Sequence, residues 1–572
     1  MRRFGMNIAW AMTMAVGLWT SAAVAYAEDD SPVGEQLLPP ETLFFFSLPD
    51  VPGFHQCWQE SKMGELMREP AMQPFVDKVK EKLAEQSEKL QQQVGVSLEK
   101  LLTIPQGEIT FAVLELPPRK LALVLMLDYG ENESTVATLL EKMDEALKEA
   151  DGKSETEEVG EAKVVTYSFG DEDPQNPFTK LAYFDYDSYL VFASDPEALK
   201  SILERWKGDN SETLAAQDVF KYIVAKCSTE DQEPILKWYF NPIGTAQSVI
   251  SLVQNQVPQA GLVVGFLPLL GLSELKAFGG VTVAAVDDYE GVSKGFVYVN
   301  QPTTGILNMF QATAAELAPP KWVPEDVASY AAVNWDVNRA YSAIEALYDN
   351  FQGAGSFGKV IDELADRDDG PGLHVRKDIV DQLTGQIHVI MGVAQIRDAE
   401  PEPKMTFALD VKDAKKTSSV LAKAAKMDGA PITTRDFEGA VIYDLQAGET
   451  SVSIAVVGKH LVISSDPTIL ENAIGPSAGV PALADNAKFK KIAEKFPQKM
   501  AAMSYQDSRG QMKVYYDLAK SGKLNLPEEL NELVEKLPDF EVIAKYLRSS
   551  GVYVVPDKKG AMSVSFTLKN ED

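Results

Sequence analysis

The chain has 572 residues, and its 84 acidic against 54 basic side chains give it a formal net charge of −30. This excess of negative charge repels phosphate backbones and anionic lipid headgroups, so it argues against binding to nucleic acid or docking on an anionic membrane. With 45% hydrophobic and 24% charged residues, the composition is that of a globular protein, and the length predicts roughly two to four domains.

The N-terminus predicts export. Arg2 and Arg3 precede an uncharged run over residues 8–27, which ends in Ala-Tyr-Ala before a group of acidic residues. A positive start, an apolar stretch and a small-x-small ending are typical of a secretory signal peptide. We therefore expect residues 1–27 to be cleaved, residues 28–37 to form a short acidic linker, and the mature chain to be periplasmic or extracellular without a transmembrane span. The alternative is an uncleaved N-terminal anchor, because the run is long enough to cross a bilayer.

Cys57 and Cys227 are the two cysteines of the chain. Their separation matches no metal or redox motif of the CxxC type. Pairing in an oxidising compartment stays open as an alternative.

A stretch that predicts a strand, a turn and a helix occurs twice, over residues 189–203 and 460–474. Each copy has an apolar run followed by Ser-Asp-Pro. The aspartates, Asp195 and Asp466, are predicted to cap the helices that follow, because a carboxylate accepts hydrogen bonds from the free amides of the first turn. The proline after each one suits the first helical position, where its missing N–H costs nothing.

Further features recur in the same order along the two halves of the chain. They are the proline-bounded opening strands 40–50 and 324–334, the strands 107–111 and 385–389, the strand–helix pairs 123–150 and 405–427, the strands 164–167 and 440–443, and the closing strands 280–283 and 551–554. The offset between partners drifts only from 284 at the opening strands to 271 at the closing ones. A repeat of this length predicts tandem duplication of a whole domain.

The order of elements predicts an α+β fold. Strands dominate each copy, short turns between neighbouring strands favour antiparallel pairing, and helices follow the third strand and the repeated turn. We therefore predict two tandem homologous domains, each a mainly antiparallel sheet with helices packed on one face. The first spans residues 38–320 and ends in a connecting helix over 305–317; the second spans residues 321–572.

The paired proline-bounded openings, the Ser-Asp-Pro turns and the segment Leu270–Gly280 resemble exported bacterial proteins of unknown function that are common in planctomycete-type genomes. The resemblance covers nearly all of the mature chain. Because that group has no established activity, the resemblance implies no catalytic or binding residue.

Two glycine motifs match enzyme signatures only in their letters. Residues 475–479 read GxSxG, but they follow a predicted helix and no histidine comes later in the chain, so we predict a loop. Residues 353–358 read GxGxxG, but a helical pattern precedes them where a dinucleotide site needs a strand. We predict a helix end there.

The four histidines also indicate no local metal motif, because His55, His374, His388 and His460 form neither HExxH nor a pair at i, i+4. His388 and His460 lie in predicted strands and are expected to be packed or half-exposed residues. Residues 366–370 resemble the start of a calcium loop but lack its closing glutamate. We therefore expect no catalytic, cofactor-binding or metal-ligating residue, and no cofactor.

One segment distinguishes the two copies. The 36-residue window 238–273 has no charged side chain, whereas residues 526–537, its counterpart, are acidic and amphipathic. Burial against a neighbouring domain, exposure as a contact surface and membrane insertion are the alternatives, although the apolar part 261–272 is too short to span a bilayer. Any contact surface for a partner is predicted to include Phe266, Leu267, Leu269 and Leu270.

These observations predict an exported, non-enzymatic protein that acts through protein or cell-envelope contacts. Two alternatives stay open, an exported hydrolase with a site assembled from scattered residues and a carrier of an apolar ligand. A deep polar pocket would favour the hydrolase, and a closed apolar cavity would favour the carrier.

Overall fold

The computed structural model describes residues 33–94, 97–169, 179–206, 208, 211–230, 232–253, 257, 259–366, 372–397, 400–426, 432–447, 450–475, 480–524 and 526–571. These residues form two compact units. Unit 1 consists of the described residues of Met1–Gly265, Leu275–Tyr298 and Lys536–Pro538. Unit 2 consists of the described residues of Phe266–Glu274, Val299–Glu535 and Asp539–Asp572.

Three sequence predictions lie wholly or largely outside the described residues and stay predictions. They concern the signal peptide with residues 28–32 of the acidic linker, the calcium-like stretch after Asp366, and the GxSxG stretch after Gly475. The rest of the predicted linker is described and differs from the prediction, because Gly34–Leu37 forms a short helix in which Leu37 is buried.

Unit 1 is built on an antiparallel sheet. Its described strands are β1 (Thr42–Leu48), β2 (Ile109–Leu116), β3 (Lys120–Asp128), β4 (Lys153–Val159), β5 (Ala162–Ser168), β6 (Lys180–Tyr186), β7 (Tyr189–Ala193), β8 (Leu236–Phe240), β9 (Leu275–Ala284) and β10 (Tyr289–Val299). They lie in the order β4-β5-β6-β7-β3-β2-β1-β8-β9-β10, and neighbours from β4 to β9 run antiparallel.

The strands of unit 2 also pair antiparallel. Its described strands are β11 (Ser329–Asn334), β12 (Leu383–Arg397), β13 (Glu400–Val411), β14 (Ile432–Phe437), β15 (Ala440–Ala447), β16 (Thr450–Val457), β17 (His460–Ser464), β18 (Ala502–Gln506), β19 (Ser550–Asp557) and β20 (Gly560–Leu568). They lie in the order β14-β15-β16-β17-β13-β12-β11-β18-β19-β20, with all neighbours antiparallel.

Helices connect these strands. In the first half of the chain they are Gly34–Leu37, Val51–Glu60, Lys62–Arg68, Gln73–Val94, Leu98–Leu102, Glu133–Glu149, Pro196–Trp206, Asp218–Cys227, Pro242–Val253 and Ala260–Phe266. In the second half they are Val337–Gln352, Ser356–Asp366, Ala414–Ala424, Pro467–Ile474, Ala487–Ala493, Arg509–Lys520, Glu528–Glu535 and Phe540–Ala544. Among the residues that the structure describes, no helix combines the length and the apolar character that crossing a membrane requires.

The two units share one strand order, since adding ten to each strand number of unit 1 reproduces the order of unit 2. The α+β class and the antiparallel pairing are confirmed. Descent of both units from one duplicated domain stays a prediction.

The repeated turn has the predicted form in both units. Asp195 Oδ1 accepts a hydrogen bond from the Glu197 amide at 3.0 Å, and Asp466 Oδ1 accepts one from the Thr468 amide at 3.0 Å. The helices that follow begin at the prolines, Pro196 and Pro467. The local sequence therefore determines where these two helices start.

Unit 1 has helices on both faces of its sheet at β7, so the prediction of one covered face is wrong there. Leu190 and Phe192 pack in one cluster with Val136 of helix Glu133–Glu149. Tyr189 points to the opposite face, where its ring meets Trp206 of helix Pro196–Trp206 edge-on at 5.3 Å. Side chains alternate between faces along a strand, and all five residues of β7 are buried. A strand that is apolar throughout is stable only when both its faces are covered.

The predicted connecting helix over residues 305–317 is also wrong beyond Phe310. Gly305–Phe310 forms a short 3-10 helix, and the chain then runs extended, with Ala312 bridged to Trp335. Ala315 and Met500 exchange two backbone hydrogen bonds of 3.0 Å. The alanine-rich sequence favours a helix, but these bridges satisfy the backbone instead, so tertiary pairing overrides local propensity.

Candidate functional site

The predicted contact segment, Phe266–Glu274, belongs to unit 2 and is held by a close crossing of two chain segments. Gly271 has φ +74°, and a Cβ on it would lie 2.1 Å from the carbonyl oxygen of Thr304. Gly305 has φ +53° and approaches Leu270 in the same way. The Ile306 amide donates to the Leu270 carbonyl at 2.8 Å. Only glycine fits at this crossing, which fixes the path of the segment.

The four predicted contact residues differ in exposure. Phe266 and Leu269 are 44% and 42% exposed, Leu270 is half-buried, and Leu267 is only 6% exposed. Leu267 is therefore a packed residue, while Phe266 and Leu269 are accessible. Contact with a partner stays a prediction.

A helix extends this accessible apolar surface. The rings of Phe266 and Phe351 lie 6.1 Å apart, and helix Val337–Gln352 exposes Ile344, Tyr348 and Phe351 to solvent. Their i, i+4, i+7 spacing places them in one stripe. We call Phe266, Leu269, Ile344, Tyr348 and Phe351 the Phe266 surface. The periodicity of the helix was visible in the sequence, but a stripe of this kind usually faces a core.

A second apolar feature lies on the sheet of unit 2. A depression of about 200 Å³ is lined by Ala331, Ala332, Val333, Val389, Ala502, Met503, Ser504, Val552 and Val554. It is only partly enclosed, and it is smaller than the ~300–1,000 Å³ typical of ligand pockets. It does not provide the closed apolar cavity expected of a carrier.

Three ionisable side chains converge on neighbouring strands of unit 2. His388 of β12 lies opposite Ala408 of β13, and Asp410 lies opposite His460 of β17. Because side chains alternate along a strand, His388, Asp410 and His460 project from one face. Asp410 Oδ1 lies 3.1 Å from His388 Nε2 and 3.4 Å from His460 Nε2. Three ligand atoms, one from each residue, all lie within 4.8 Å of one another.

Aromatic rings surround this histidine–aspartate cluster. The hydroxyl of Tyr330 on β11 lies 2.7 Å from His388 Nδ1, and its ring stacks on the imidazole at 6.1 Å. Trp322 meets His460 edge-on at 5.8 Å. His388 is 2% exposed, whereas the side chains of Asp410 and His460 are 23% and 21% exposed. The cluster is therefore reached from solvent on the Asp410 and His460 side.

Burial affects the protonation of His460 and of Tyr330. It lowers the pKa of His460, an effect that Asp410 opposes and His388 reinforces. Burial likewise raises the pKa of Tyr330, helped by Asp410. His460 is therefore neutral and Tyr330 keeps its proton at neutral pH. Imidazole nitrogens beside a carboxyl group form a donor set that suits divalent transition metals.

This grouping is not visible in the sequence, which predicts only that His388 and His460 are separate residues, each packed or half-exposed. Seventy-two positions separate them, and Asp410 lies 22 residues after His388. Strand register brings the three together, and register is not a local property of the sequence.

Unit 1 carries different side chains at two of the three equivalent places. Asp128 stands at the place of Asp410 and lies opposite Tyr189, while Thr110 lies opposite Met126. These places therefore contain no imidazole. Thr110 instead donates from Oγ1 to Glu108 Oε1 at 2.7 Å.

Glu108 is the centre of a buried polar network in unit 1. Its Oε2 accepts from the Gly34 amide at 2.7 Å, and its Oε1 also accepts from the Ser47 hydroxyl at 2.5 Å. Burial raises the pKa of Glu108, and neighbouring Glu35 adds to the increase, while these hydrogen bonds oppose it. The network ties helix Gly34–Leu37 to the sheet.

The other candidate residues lie outside the histidine–aspartate cluster. Helix Val337–Gln352 ends at Gly353 with φ +99°, which confirms a helix end at the GxGxxG stretch. His374 Nε2 lies 3.3 Å from Asp362 Oδ1, and His55 is buried.

Both cysteines belong to unit 1 and are free thiols. Burial raises the pKa of Cys227 to about 11, so this thiol stays protonated and unreactive at neutral pH.

Comparison with known proteins gives one match. Residues 296–537 match the model of a family described as a protein of unknown function, DUF3352. The match covers most of unit 2, including the histidine–aspartate cluster, and stops before β19. No curated protein and no solved structure matches the chain. The C-terminal half of the chain thus contains a DUF3352 domain of unknown function.

Proposed function

We propose that the protein is an exported, non-enzymatic binding protein that contacts a protein of the cell envelope through the Phe266 surface. The observation that carries the proposal is the exposure of Phe266 and Leu269, at 44% and 42%. They lie within a 36-residue window without charge, in a chain of net charge −30. Exposed apolar patches of this kind commonly mark interaction sites.

The chemistry of the surface limits the partner. The Phe266 surface has no charged member, so its partner presents apolar side chains. The acidic chain disfavours anionic lipid as the main attraction. A protein with an exposed apolar groove fits both conditions.

Export and duplication are part of the same proposal. The signal-like residues 1–27 and the resemblance to exported bacterial proteins support export. The strand order common to the two units supports duplication. Mass spectrometry of the mature protein from its native host is expected to find a chain that begins at Glu28; an intact N-terminus would favour the anchored alternative.

Envelope co-sedimentation tests the contact surface. Phe266→Asp places a charge on the surface and is expected to abolish co-sedimentation while leaving the melting temperature close to that of the wild type. Val441→Asp is the matched control, because Val441 of β15 is 43% exposed but lies outside the surface. This control is expected to co-sediment like the wild type.

The same assay separates the alternatives. Protease treatment of the envelope is expected to remove binding, and vesicles of extracted lipid are expected not to bind. Binding to the vesicles would point to lipid as the partner. Equal co-sedimentation of Phe266→Asp and the wild type would overturn the proposal, and unfolding of that variant would favour burial of the segment.

A further inference from the structure

We propose that unit 2 binds one divalent transition-metal ion, of which zinc is the probe, through His388 Nε2, Asp410 Oδ1 and His460 Nε2. This site is separate from the Phe266 surface, and the proposal does not depend on the proposed function.

The distances within the cluster fit such an ion. In a tetrahedral zinc site the bonds to nitrogen and oxygen are about 2.0–2.1 Å long, which places neighbouring ligand atoms about 3.3 Å apart. Asp410 Oδ1 lies 3.1 Å and 3.4 Å from the two imidazole nitrogens. Because all three ligand atoms lie within 4.8 Å of one another, small rotations of the rings are enough to bring them around one ion.

The orientation of the imidazoles supports the same conclusion. Both rings direct Nε2 towards the same carboxylate oxygen. The remaining ring nitrogen of His388 faces the Tyr330 hydroxyl at 2.7 Å. Metal-binding histidines usually have such a partner, which sets the tautomer and the ring orientation. Tyr330 is therefore a positioning residue, whose oxygen accepts from Nδ1–H and leaves the Nε2 lone pair for the ion.

Hydrogen bonding alone is the competing explanation, since both histidines can donate to Asp410. Unit 1 argues against a purely structural need for them. It has the same strand order, yet it carries Thr110 and Tyr189 where unit 2 carries His388 and His460. The fold thus forms without imidazoles at these places.

Solvent can reach one side of the site. The side chains of Asp410 and His460 are 23% and 21% exposed, which gives an ion a path of entry. Three protein ligands leave a fourth tetrahedral position for water, whereas structural zinc sites usually have four protein ligands.

Titration of the metal-free, full-length protein with zinc tests the proposal. Calorimetry is expected to find one ion per chain for the wild type. His460→Gln and Asp410→Asn, two changes of nearly equal volume at partly exposed positions, are each expected to weaken binding at least about 100-fold. Far-ultraviolet circular dichroism would establish that both variants are folded.

His374→Gln is the matched control, because His374 and Asp362 form a histidine–carboxylate pair, 3.3 Å apart, that is not part of the three-residue cluster. This variant is expected to bind zinc like the wild type. Zinc is also expected to raise the melting temperature of the wild type and of the control, but not that of His460→Gln, because a ligand stabilises the state that binds it.

Tyr330→Phe tests the positioning role. It is expected to retain one ion per chain with an affinity about 10–100-fold lower, whereas a mere packing role would change the melting temperature and leave the affinity unchanged. Cobalt is expected to give the visible absorption of a tetrahedral site in the wild type and to lose it in Asp410→Asn. Zinc binding that is undiminished in His460→Gln and Asp410→Asn, or absent from the wild type, would overturn the proposal.

Discussion

Two aspartates cap equivalent helices but have different surroundings. Asp195 is 5% exposed and pairs with Lys120 Nζ at 2.5 Å in addition to its capping bond. Asp466 caps its helix at a partly exposed site. Replacing Asp195 therefore removes an ion pair as well as a helix cap.

This difference predicts unequal costs of substitution. Asp466→Ala is expected to lower the free energy of unfolding by about 1 kcal/mol, the usual loss for a helix cap. Asp195→Ala is expected to cost more, because Lys120 also loses its partner. Urea denaturation of both variants measures the two values, and a larger loss for Asp466→Ala would contradict the prediction.

Glu108 predicts a pH dependence of stability in unit 1. Burial raises its folded-state pKa, so between the unfolded and folded pKa values the folded chain binds more protons than the unfolded one. Its contribution to stability is therefore greatest below the unfolded pKa and falls as pH rises through the folded pKa.

Glu108→Gln does not titrate. The difference in unfolding free energy, wild type minus variant, is expected to fall as pH rises from about 4 to about 8. Urea denaturation at each pH measures it, and a constant difference would contradict the prediction.

At the scale of elements, the segment Phe266–Glu274 has one buried and two exposed apolar side chains within its first four residues. Leu267 is 6% exposed and Leu269 is 42% exposed. The path of this segment depends on the close crossing of the chain at Gly271 and Gly305. The absence of charge in the sequence indicated the segment, but only its packing distinguishes the packed residue from those that are accessible.

Alanine substitutions separate these roles. Leu267→Ala is expected to lower the free energy of unfolding by about 2–5 kcal/mol because it leaves a cavity. Leu269→Ala is expected to change it by no more than about 0.5 kcal/mol because it is a surface substitution. Thermal and urea denaturation compare them, and equal losses would show that the two leucines are packed alike.

At the scale of the molecule, residues 299–320 pack in unit 2, ahead of the domain boundary predicted from the sequence. Trp335 Nε1 donates to the Met309 carbonyl at 2.6 Å, and Arg339 donates to Asn308 Oδ1 at 2.8 Å. Ala315 adds its bridge to Met500. These contacts join residues 308–315 to the residue after β11, to helix Val337–Gln352 and to the stretch just before β18.

Two fragments test the extent of this unit. A chain of residues 299–572 is expected to unfold at a higher temperature than a chain of residues 321–572. The shorter chain loses these hydrogen bonds and leaves the half-buried indole N–H of Trp335 and the backbone of buried Met500 without their partners. Calorimetry on both measures the difference. Equal melting temperatures would place the stable boundary at residue 321, and insolubility of both would indicate that unit 2 needs unit 1.

The sequence by itself determined the class of the fold, the order of most strands and helices, and the starts of the helices after Asp195 and Asp466. These features depend on alternation, caps and turns within a few residues, which local physics decides. The tertiary structure alone decided that both faces of β7 are covered and that His388, Asp410 and His460 meet. It also decided that residues 311–317 form no helix, with Ala312 and Ala315 bridged to Trp335 and Met500. Each of these depends on register and packing between distant segments, because the position of one strand beside another is set by the whole sheet.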